Sequence, residues 1–320
     1  MKAAYYSANG GPEVMCFGDV SDPVLKPDDV LIRVQAVSIE GGDIISRRYG
    51  TPSSDRHVVG YQAGGVVEAV GAEIKSIQPG QRVVGHNAAG SHAELFAVPE
   101  DLCFPVPDGL NMDVAATVPV TFGTGLDALF EFGGLKRGET VLIQGAAGGV
   151  GVACVQLAKL AGATVIGTAF GPERLERLTA LGMDHGIDYS CQDIGQRTRE
   201  LTGGKGAELV IDMAGAKGLK QLLDALAYRG RYMAVGVSSG ESPTFTFSEL
   251  MGKNLTIQGV YLALEIRTAR VHEAIAGIFA DIAAGRLTMP IEQVYPLAQA
   301  AAAHAHVETG HPFGRILLRP

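Results

Sequence analysis

Short apolar runs dominate the first hundred residues of the chain. The stretches DDVLIRVQAV (Asp28–Val37), AGGVVEAVG (Ala63–Gly71) and QRVVG (Gln81–Gly85) are rich in valine and are bounded by proline, glycine and aspartate. Valine-rich runs with such boundaries are typical of β-strands. Helical periodicity is poor in this part of the chain, so we predict a β-rich first domain.

The pattern changes after FPVPDGL (Phe104–Leu110), whose two prolines and one glycine mark the approach to a domain boundary. Beyond it, strand-like and helix-like runs alternate: VLIQ, a helix with Val150, Cys154, Leu157 and Ala161 on one face, TVIGTA, PERLERLTAL, ELVIDM, KGLKQLLDALAY and RYMAVG. The sheet is predicted to be completed by NLTIQGV, and a last helix is predicted to begin in VHEAIAGIFADIAAG. One more strand is predicted at FGRILLRP. Such alternation predicts an α/β fold with a doubly wound parallel sheet.

The loop after VLIQ carries a candidate binding motif. The spacing Ala146-x-Gly148-x-x-Gly151 falls between a predicted strand and a predicted helix. Small residues there let the backbone turn tightly and approach a pyrophosphate, which binds at the helix N-terminus. A purely structural turn is the alternative, and the surrounding strand–helix alternation favours dinucleotide binding over it.

The end of the second strand bears on which dinucleotide binds. NAD sites usually carry an acidic residue there, which accepts a hydrogen bond from the ribose 2′-hydroxyl. In this chain TVIGTA runs into AFG (Ala169–Gly171), which has no carboxylate. Arg174 follows in the first turn of the next helix, where a guanidinium can bind a 2′-phosphate. Arg174 could instead pair with Glu173 or Glu176, but the missing acid favours NADPH.

Composition excludes several other classes. The 320 residues carry a formal net charge of −8, with 47% hydrophobic and 19% charged residues, which is typical of a globular protein. Nucleic-acid binding needs a basic face, so we do not expect it here. The sequence shows neither a signal peptide nor a membrane span, and its four cysteines are scattered. We therefore expect a cytoplasmic protein.

Several stretches together resemble a known family. AAGGVG (Ala146–Gly151), GGVVEAVGAEIKSIQPGQRVVG, KNLTIQG and GRILLRP are similar to the zinc-independent, zeta-crystallin-like quinone oxidoreductases of the medium-chain dehydrogenase/reductase family. The resemblance runs from Met1 to Pro320. It implies a GroES-like catalytic domain (1–118 and 262–320), an inserted Rossmann domain (119–261), an active site in the cleft between them and a homodimer formed through the Rossmann edge strand.

The resemblance also implies a set of NADPH-binding residues. Arg174 and Tyr189 would flank the 2′-phosphate, although the family's basic residue is usually lysine and the usual serine before the helix is absent. Thr121 would line the nicotinamide pocket. The full predicted set is Thr121, Ala147, Gly148, Gly149, Val150, Arg174, Tyr189, Val235, Gly236, Val237 and Tyr261.

The positions that bind catalytic zinc in other members of the superfamily do not suit a metal here. They hold Glu40 in EGGD, Tyr61 and Gln62 in GYQ, and the neighbourhood of Val120. One carboxylate cannot replace three protein ligands, so we predict no metal site. Among the histidines, His86 and His92 and likewise His304 and His306 are interpreted as surface or locally hydrogen-bonded side chains.

Without zinc, an acceptor that can itself delocalise the incoming hydride suits the site, either a quinone or a conjugated enone or enal. The candidate catalytic residues are Tyr61, which could polarise an acceptor oxygen or simply pack in the cleft, and Glu40, which stands where the branch usually has asparagine. Asp43 is expected to order local backbone. Two other functions stay open: a crystallin-like or RNA-binding protein that binds NADPH with little catalysis, and an enoyl reductase acting on a carrier-bound thioester.

Overall fold

The chain folds into two compact units. The computed structural model describes residues 1–215, 218–237, 240 and 244–320. Unit 1 comprises Met1–Val120 and Glu265–Pro320, and unit 2 comprises Thr121–Leu264. Each unit contains its own sheet structure, in agreement with the predicted α/β class.

Unit 1 is rich in β-structure. Its strands are β1 (Lys2–Tyr6), β2 (Cys16–Asp19), β3 (Asp29–Ser38), β4 (His57–Val58), β5 (Gln62–Val70), β6 (Arg82–His86), β7 (Leu95–Pro99), β8 (Cys103–Pro105), β15 (Ile291–Pro296) and β16 (Arg315–Arg319). Its helices are α1 (Gly41–Tyr49), α2 (Met112–Ala115), α9 (Ala269–Ala283) and α10 (Ala300–Thr309). Short 3-10 turns lie at Pro12–Val14, Glu100–Leu102 and Leu297–Gln299.

The main sheet of unit 1 joins both ends of the chain. Its strand order is β15-β16-β3-β5-β6-β8, with β7 also paired to β3, and a smaller sheet has the order β2-β1-β4. In β3 the side chains of Val30, Ile32 and Val34 belong to the hydrophobic core, as expected for residues spaced by two on one face of a strand. The C-terminal β16 pairs antiparallel with β3, where Leu318 lies opposite Val37.

Helix α1 is a feature that the β-rich prediction for the first hundred residues missed. It begins in a capping box: the Glu40 side chain caps the N3 backbone amide, and the Asp43 side chain caps the Glu40 amide. A capping box satisfies backbone donors that a helix start leaves unpaired. The sequence signal was the E-x-x-D spacing at Glu40–Asp43.

Unit 2 is a Rossmann-like parallel sheet flanked by helices. Its strands are β9 (Thr140–Gln144), β10 (Thr164–Ala169), β11 (His185–Asp188), β12 (Ala207–Asp212), β13 (Leu226–Ala234) and β14 (Thr256–Gly259). Its helices are α4 (Gly149–Leu160), α5 (Pro172–Ala180), α6 (Ile194–Leu201), α7 (Leu219–Ala225) and α8 (Phe247–Met251), and α3 (Val118–Leu126) enters the unit at its start. A π-helical turn at Asp127–Glu131 and a 3-10 turn at Leu262–Leu264 complete it.

The strand order of unit 2 confirms the predicted doubly wound sheet. The order is β11-β10-β9-β12-β13-β14, and every neighbouring pair is parallel. The carboxyl ends of all these strands therefore lie at one edge, which is where ligands bind in such sheets. Cys154 on α4 is fully buried, as its place on the apolar face predicted.

The predicted helix KGLKQLLDALAY is wrong at its C-terminal end. The described helix α7 stops at Ala225, and Leu226 already pairs with Ala207 in the sheet. Its first predicted residue, Lys217, lies outside the described residues. The Lys253 ammonium donates to the carbonyls of Asp224 and Leu226, at 2.8 Å each, and so satisfies acceptors at the end of the helix. Sheet pairing and this cap decide the boundary, because the apolar spacing alone fits a helix through Tyr228.

Among the described residues, every helix is too short or too polar to cross a lipid bilayer.

Candidate functional site

The glycine-rich loop of unit 2 connects β9 to α4. Gly148 is the N-cap of α4, and no side chain caps the amides of the first helical turn. A Cβ atom on Gly151 would collide with the carbonyl oxygen of Gly145, so the helix packs closely on the loop only with glycine there. An uncapped helix start beside a tight loop suits an anionic group such as a pyrophosphate. The predicted residues Ala147, Gly148, Gly149 and Val150 all lie in this segment.

Arg174 and Tyr189 lie near each other beside the ends of β10 and β11. The Arg174 guanidinium donates to the Phe170 carbonyl at 3.3 Å, and the rings of Phe170 and Tyr189 are 6.3 Å apart. Burial raises the pKa of Tyr189, and the positive charge of Arg174 opposes that shift. The structure therefore brings these two predicted residues together, on a surface that has no carboxylate at the end of β10.

The remaining predicted cofactor residues follow other strands or lie in α3. Val235 and Gly236 come directly after β13, and their amides donate to the Asp212 carbonyl at 3.0 and 3.1 Å. Tyr261 follows β14 and is largely exposed, whereas Thr121 is buried in α3. The segment that contains Val235 thus lies at the same edge of the sheet as the glycine-rich loop.

In unit 1, Glu40 is held in a buried ion pair. Its carboxylate lies 2.6 Å from the Arg315 guanidinium and accepts a hydrogen bond of 2.7 Å from the Ser38 hydroxyl. Glu40 is only 2% exposed. Burial raises the pKa of Glu40, while Arg315 and Ser38 oppose that shift. Glu40 is therefore bound by its own protein rather than presented as a free carboxylate.

Gln62 links Glu40 to the segment before Thr121. Its amide nitrogen donates to the Ala116 carbonyl at 2.7 Å and lies 3.4 Å from the Glu40 carboxylate. Its amide oxygen accepts from the main-chain N–H of Val120 at 2.9 Å. The positions that hold zinc ligands in other superfamily members are thus joined by direct hydrogen bonds.

Tyr61 packs against the start of α1. Its phenol oxygen faces the main-chain N–H of Gly42, and a Cβ atom on Gly42 would lie 2.7 Å from the Tyr61 Cε1 atom. Burial, with the nearby Glu40 and Asp43, raises the pKa of Tyr61 well above its usual value. The hydroxyl is therefore protonated at neutral pH and can donate a hydrogen bond.

Asp43 orders the backbone, as expected. Its carboxylate accepts from the main-chain N–H of Glu40 at 2.8 Å, and burial raises its pKa well above its usual value.

The histidine interpretation is wrong for His304, which is completely buried and has its Nε2 atom 3.1 Å from that of the remote His92. His92 is also completely buried, but its Nδ1 atom lies 3.3 Å from the hydroxyl of the adjacent Ser91, so the expected local hydrogen bond is present there. His86 ends β6, and its ring centroid lies 5.4 Å from that of Tyr61. His306 contacts Tyr295, whose hydroxyl oxygen lies 3.0 Å from its Nδ1 atom.

Sequence reasoning missed Arg315, Asp212 and the role of Gln62. A usable signal existed for Arg315, because a single charged residue at the start of the apolar run ILL (Ile316–Leu318) needs a partner when the strand is buried. Asp212 gave a similar signal at the end of ELVIDM. Neither signal identifies the partner.

Comparison with known proteins places the chain in a family. Residues 26–108 match the model described as the alcohol dehydrogenase GroES-like domain, and residues 149–278 match that of the zinc-binding dehydrogenases. A quinone oxidoreductase from Pseudomonas aeruginosa is 32% identical over 327 residues, covering 100% of this chain and 99% of the relative. The chain belongs to the quinone oxidoreductases of the medium-chain dehydrogenase/reductase family. This confirms the resemblance drawn from the sequence.

The chain is also similar to a second reductase and to a solved structure that contains NADPH. A 2-haloacrylate reductase from a Burkholderia species is 32% identical over 330 residues, covering 99% of this chain and 98% of the relative. The crystal structure of the Escherichia coli quinone oxidoreductase complexed with NADPH superposes with a TM-score of 0.94 at 28% identity, covering 100% of both chains. The chain is thus an oxidoreductase by family.

One family model is described as zinc-binding, and the residues of this oxidoreductase do not fit a catalytic zinc. The Glu40 carboxylate is engaged by Arg315, the Tyr61 hydroxyl keeps its proton, and Val120 contributes a main-chain N–H that donates to Gln62. Zinc needs three deprotonated or neutral donor side chains that converge. Among the described residues, no three histidine, cysteine, aspartate or glutamate side chains do so.

Proposed function

We propose that this protein is a metal-independent, NADPH-dependent oxidoreductase that transfers hydride to a quinone or to a conjugated enone or enal. The observation that carries the proposal is the hydrogen-bonded set Glu40, Gln62 and Val120 at the positions of zinc ligands. A saturated carbonyl or alcohol substrate would lack, at that place, the Lewis acid that stabilises a developing oxyanion or alkoxide in a zinc enzyme. A conjugated acceptor spreads the incoming charge over its own atoms. The names of the two relatives, a quinone oxidoreductase and a 2-haloacrylate reductase, support acceptors of this kind.

The same hydrogen bonds support independence from metal. We expect the purified protein to contain no stoichiometric zinc and to keep its activity after dialysis against a chelator. Elemental analysis that finds about one tightly bound zinc per chain, lost together with activity, would contradict this part of the proposal.

NADPH is the proposed cofactor, and unit 2 is the proposed cofactor domain. When bound, NADPH supplies the hydride from C4 of its nicotinamide ring. The uncapped amides after Gly148 would bind the pyrophosphate, Arg174 and Tyr189 would bind the 2′-phosphate, and Val235–Val237 would hold the nicotinamide end. Thr121 and Tyr261 complete the proposed set. The NADPH complex of the E. coli relative supports this choice.

Unit 1 is the proposed catalytic domain, with Tyr61 as the residue that contacts the acceptor. Its protonated hydroxyl would donate a hydrogen bond to the acceptor oxygen as negative charge develops there. One aimed donor in a water-poor site contributes about 10²–10³ in rate. Glu40 is proposed as a positioning residue, because its carboxylate is occupied by Ser38 and Arg315.

The deciding experiment follows the transferred hydrogen. NADPH carrying deuterium at the transferred C4 position is offered with a quinone, an enone, a saturated aldehyde and an enoyl thioester. We expect turnover of the quinone and the enone, with the label on the β-carbon of the enone. If the saturated aldehyde reacted fastest and the label appeared on its carbonyl carbon, the protein would be a carbonyl reductase instead. If the enoyl thioester reacted fastest, the protein would be an enoyl reductase that acts on carrier-bound chains. If NADPH bound tightly but no acceptor were turned over, the protein would be an NADPH-binding protein with little catalysis.

Tyr61→Phe tests the proposed donor in the same assay. It should lower turnover of the enone more than that of the quinone, since a reduced quinone is stable as an anion and needs less help. NADPH binding should not change. The matched control is Tyr49→Phe, because Tyr49 lies on α1 and is 71% exposed. Equal loss with both acceptors, or none with either, would contradict the role of Tyr61.

A homodimer through β14 is the proposed assembly. This strand stands at one end of the sheet order, and within the described residues only β13 pairs with it. Phe247 and Met251 on the neighbouring α8 are 82% and 75% exposed. An open strand edge beside exposed apolar side chains suits a second copy of the same edge.

Light scattering tests this assembly. The double variant Phe247→Asp with Met251→Asp should become monomeric, while Val24→Asp, at an equally exposed apolar residue of unit 1, should stay dimeric. A wild-type protein that is monomeric at micromolar concentration would contradict the proposed dimer.

A further inference from the structure

Asp212 is a buried junction between two loops at the carboxyl edge of the unit 2 sheet. It is the last residue of β12 and is 1% exposed. One carboxylate oxygen accepts from the main-chain amides of Ala214 and Gly215, at 2.9 and 3.1 Å. The other oxygen accepts from the hydroxyl of Tyr232, which is itself buried on β13. The side chain therefore holds the loop that follows β12 and is itself held by the next strand.

The main chain of Asp212 holds the second loop. Its carbonyl oxygen accepts from the amides of Val235 and Gly236, at 3.0 and 3.1 Å. These are the first two residues after β13. A single residue thus binds both loops, one through its carboxylate and the other through its carbonyl group.

The two loops also touch each other through glycines. Gly215 has φ = +66°, and a Cβ atom there would lie 2.6 Å from the Gly236 carbonyl oxygen. A Cβ atom on Gly236 would in turn collide with the Met213 carbonyl oxygen. Because backbone packs directly on backbone, a shift of the first loop displaces the second, and there is no flexible side chain between them to absorb it.

We propose that Asp212 and Tyr232 are positioning residues that hold Val235–Val237 in the conformation that receives the nicotinamide end of NADPH. This inference rests on the proposed function, which assigns that segment to the nicotinamide. Neither residue touches the cofactor in this proposal. Tyr232 acts through Asp212, and Asp212 acts through the two loops that it binds.

The test separates the two halves of the cofactor. In Tyr232→Phe the ring remains in the core, but the buried carboxylate loses a donor. The affinity for NADPH, followed by nicotinamide fluorescence, should fall roughly 10- to 100-fold, the range for one lost hydrogen bond to a charged group. Adenosine 2′,5′-bisphosphate, measured by calorimetry, carries the 2′-phosphate but no nicotinamide, and its affinity should not change. In steady-state assays KM for NADPH should rise more than kcat falls.

Two further variants separate positioning from general stability. Tyr6→Phe removes another buried tyrosine hydroxyl, which donates to the Ser46 carbonyl in unit 1 at 3.2 Å. It should lower stability but leave NADPH affinity unchanged. Asp212→Asn keeps an oxygen that can accept from Ala214 and Gly215, and its amide group can donate to the Tyr232 oxygen. It should bind NADPH much better than Tyr232→Phe does.

The possible results distinguish failure of this inference from failure of the proposed function. Unchanged NADPH affinity in Tyr232→Phe, or an equal loss for NADPH and adenosine 2′,5′-bisphosphate, would overturn the inference and leave the proposed function intact. A wild-type protein that binds the bisphosphate and NADPH equally well would show that the nicotinamide makes no contact, which also overturns it. A wild-type protein that binds neither would overturn the proposed function and this inference with it.

Discussion

The Arg315 guanidinium lies 2.6 Å from the Glu40 carboxylate, and both side chains are buried in unit 1. Pairing of β16 with β3 brings these remote residues together, since Leu318 lies opposite Val37. Arg315 also donates from Nε to the Ser38 hydroxyl at 3.1 Å, and that hydroxyl donates to Glu40. The pair therefore anchors the start of α1, against which Tyr61 packs.

Removal of the cation from this pair should destabilise the protein strongly. Arg315→Met leaves Glu40 buried without its cation, which we expect to cost about 3–5 kcal/mol in the free energy of unfolding. Urea titration followed by circular dichroism measures this. The matched control is Arg33→Met, because Arg33 pairs with Glu68 on the surface, where such pairs contribute about 0–1 kcal/mol. Adding Glu40→Gln to Arg315→Met should recover part of the lost stability, because the buried negative charge is then removed as well. If Arg315→Met and Arg33→Met lowered the free energy of unfolding equally, the buried pair would be no more important than the surface pair.

A methyl group at Gly42 should displace Tyr61. The added Cβ atom would lie 2.7 Å from Tyr61 Cε1 and 2.9 Å from its hydroxyl oxygen, so the ring must move. If Tyr61 contacts the acceptor, kcat/KM for an enone should fall by about 10²-fold in Gly42→Ala, while NADPH affinity should not change. Gly41→Ala is the control, because nothing lies within 4 Å of the added atom. Similar activities for the two variants would argue against a role for Tyr61 in turnover.

Arg174→Ala should reduce the preference for NADPH. Loss of a charged hydrogen bond to the 2′-phosphate should weaken NADPH binding by about 1.5–3 kcal/mol, or roughly 10- to 100-fold. NADH should bind as before, since it has no 2′-phosphate. Arg177→Ala, on the same helix, serves as the control. Dissociation constants for both cofactors measure the effect, and equal losses would make Arg174 a structural residue.

The His92–His304 pair should make the protein sensitive to acid. Burial lowers the pKa of both rings, that of His304 to about 3, with Arg47 adding to the effect. Between pH 3 and about 6.5 the unfolded chain therefore binds protons that the folded chain does not, and stability falls as the pH falls. The slope is about 1.4 kcal/mol per pH unit for each such proton.

The variant His304→Gln tests this pair. Its side-chain amide can still contact His92, but it does not titrate in this range. The unfolding free energy, measured by urea titration between pH 4.5 and 7.5, should depend on pH less steeply than in the wild type. Thr198→Val, which removes a buried hydroxyl of unit 2 that does not titrate, is the control and should keep the wild-type slope. An unchanged slope in His304→Gln would show that acid acts on other groups.

Much of unit 2 was predictable from local patterns. TVIGTA, PERLERLTAL and ELVIDM appear in the structure as β10, α5 and β12, although the prediction missed β11 and α6, which lie between α5 and β12. Strand and helix periodicity and glycine spacing act over a few residues, so a single sequence contains them. The glycine-rich loop and the absence of a carboxylate after β10 are local in the same sense. The boundary between α7 and β13 was not predictable, because pairing with β12 competes there with an apolar spacing that also fits a helix.

The sequence by itself therefore determined the class of fold, the family resemblance and the candidate cofactor loop. Only the tertiary structure decided which buried polar groups meet: Glu40 with Arg315, Asp212 with Tyr232, and His92 with His304. A buried charge or imidazole must have a partner, and the sequence shows this need without naming the partner. The partner is set by strand register and by packing between segments that are remote along the chain. A local sequence pattern carries no information about which remote segments come together.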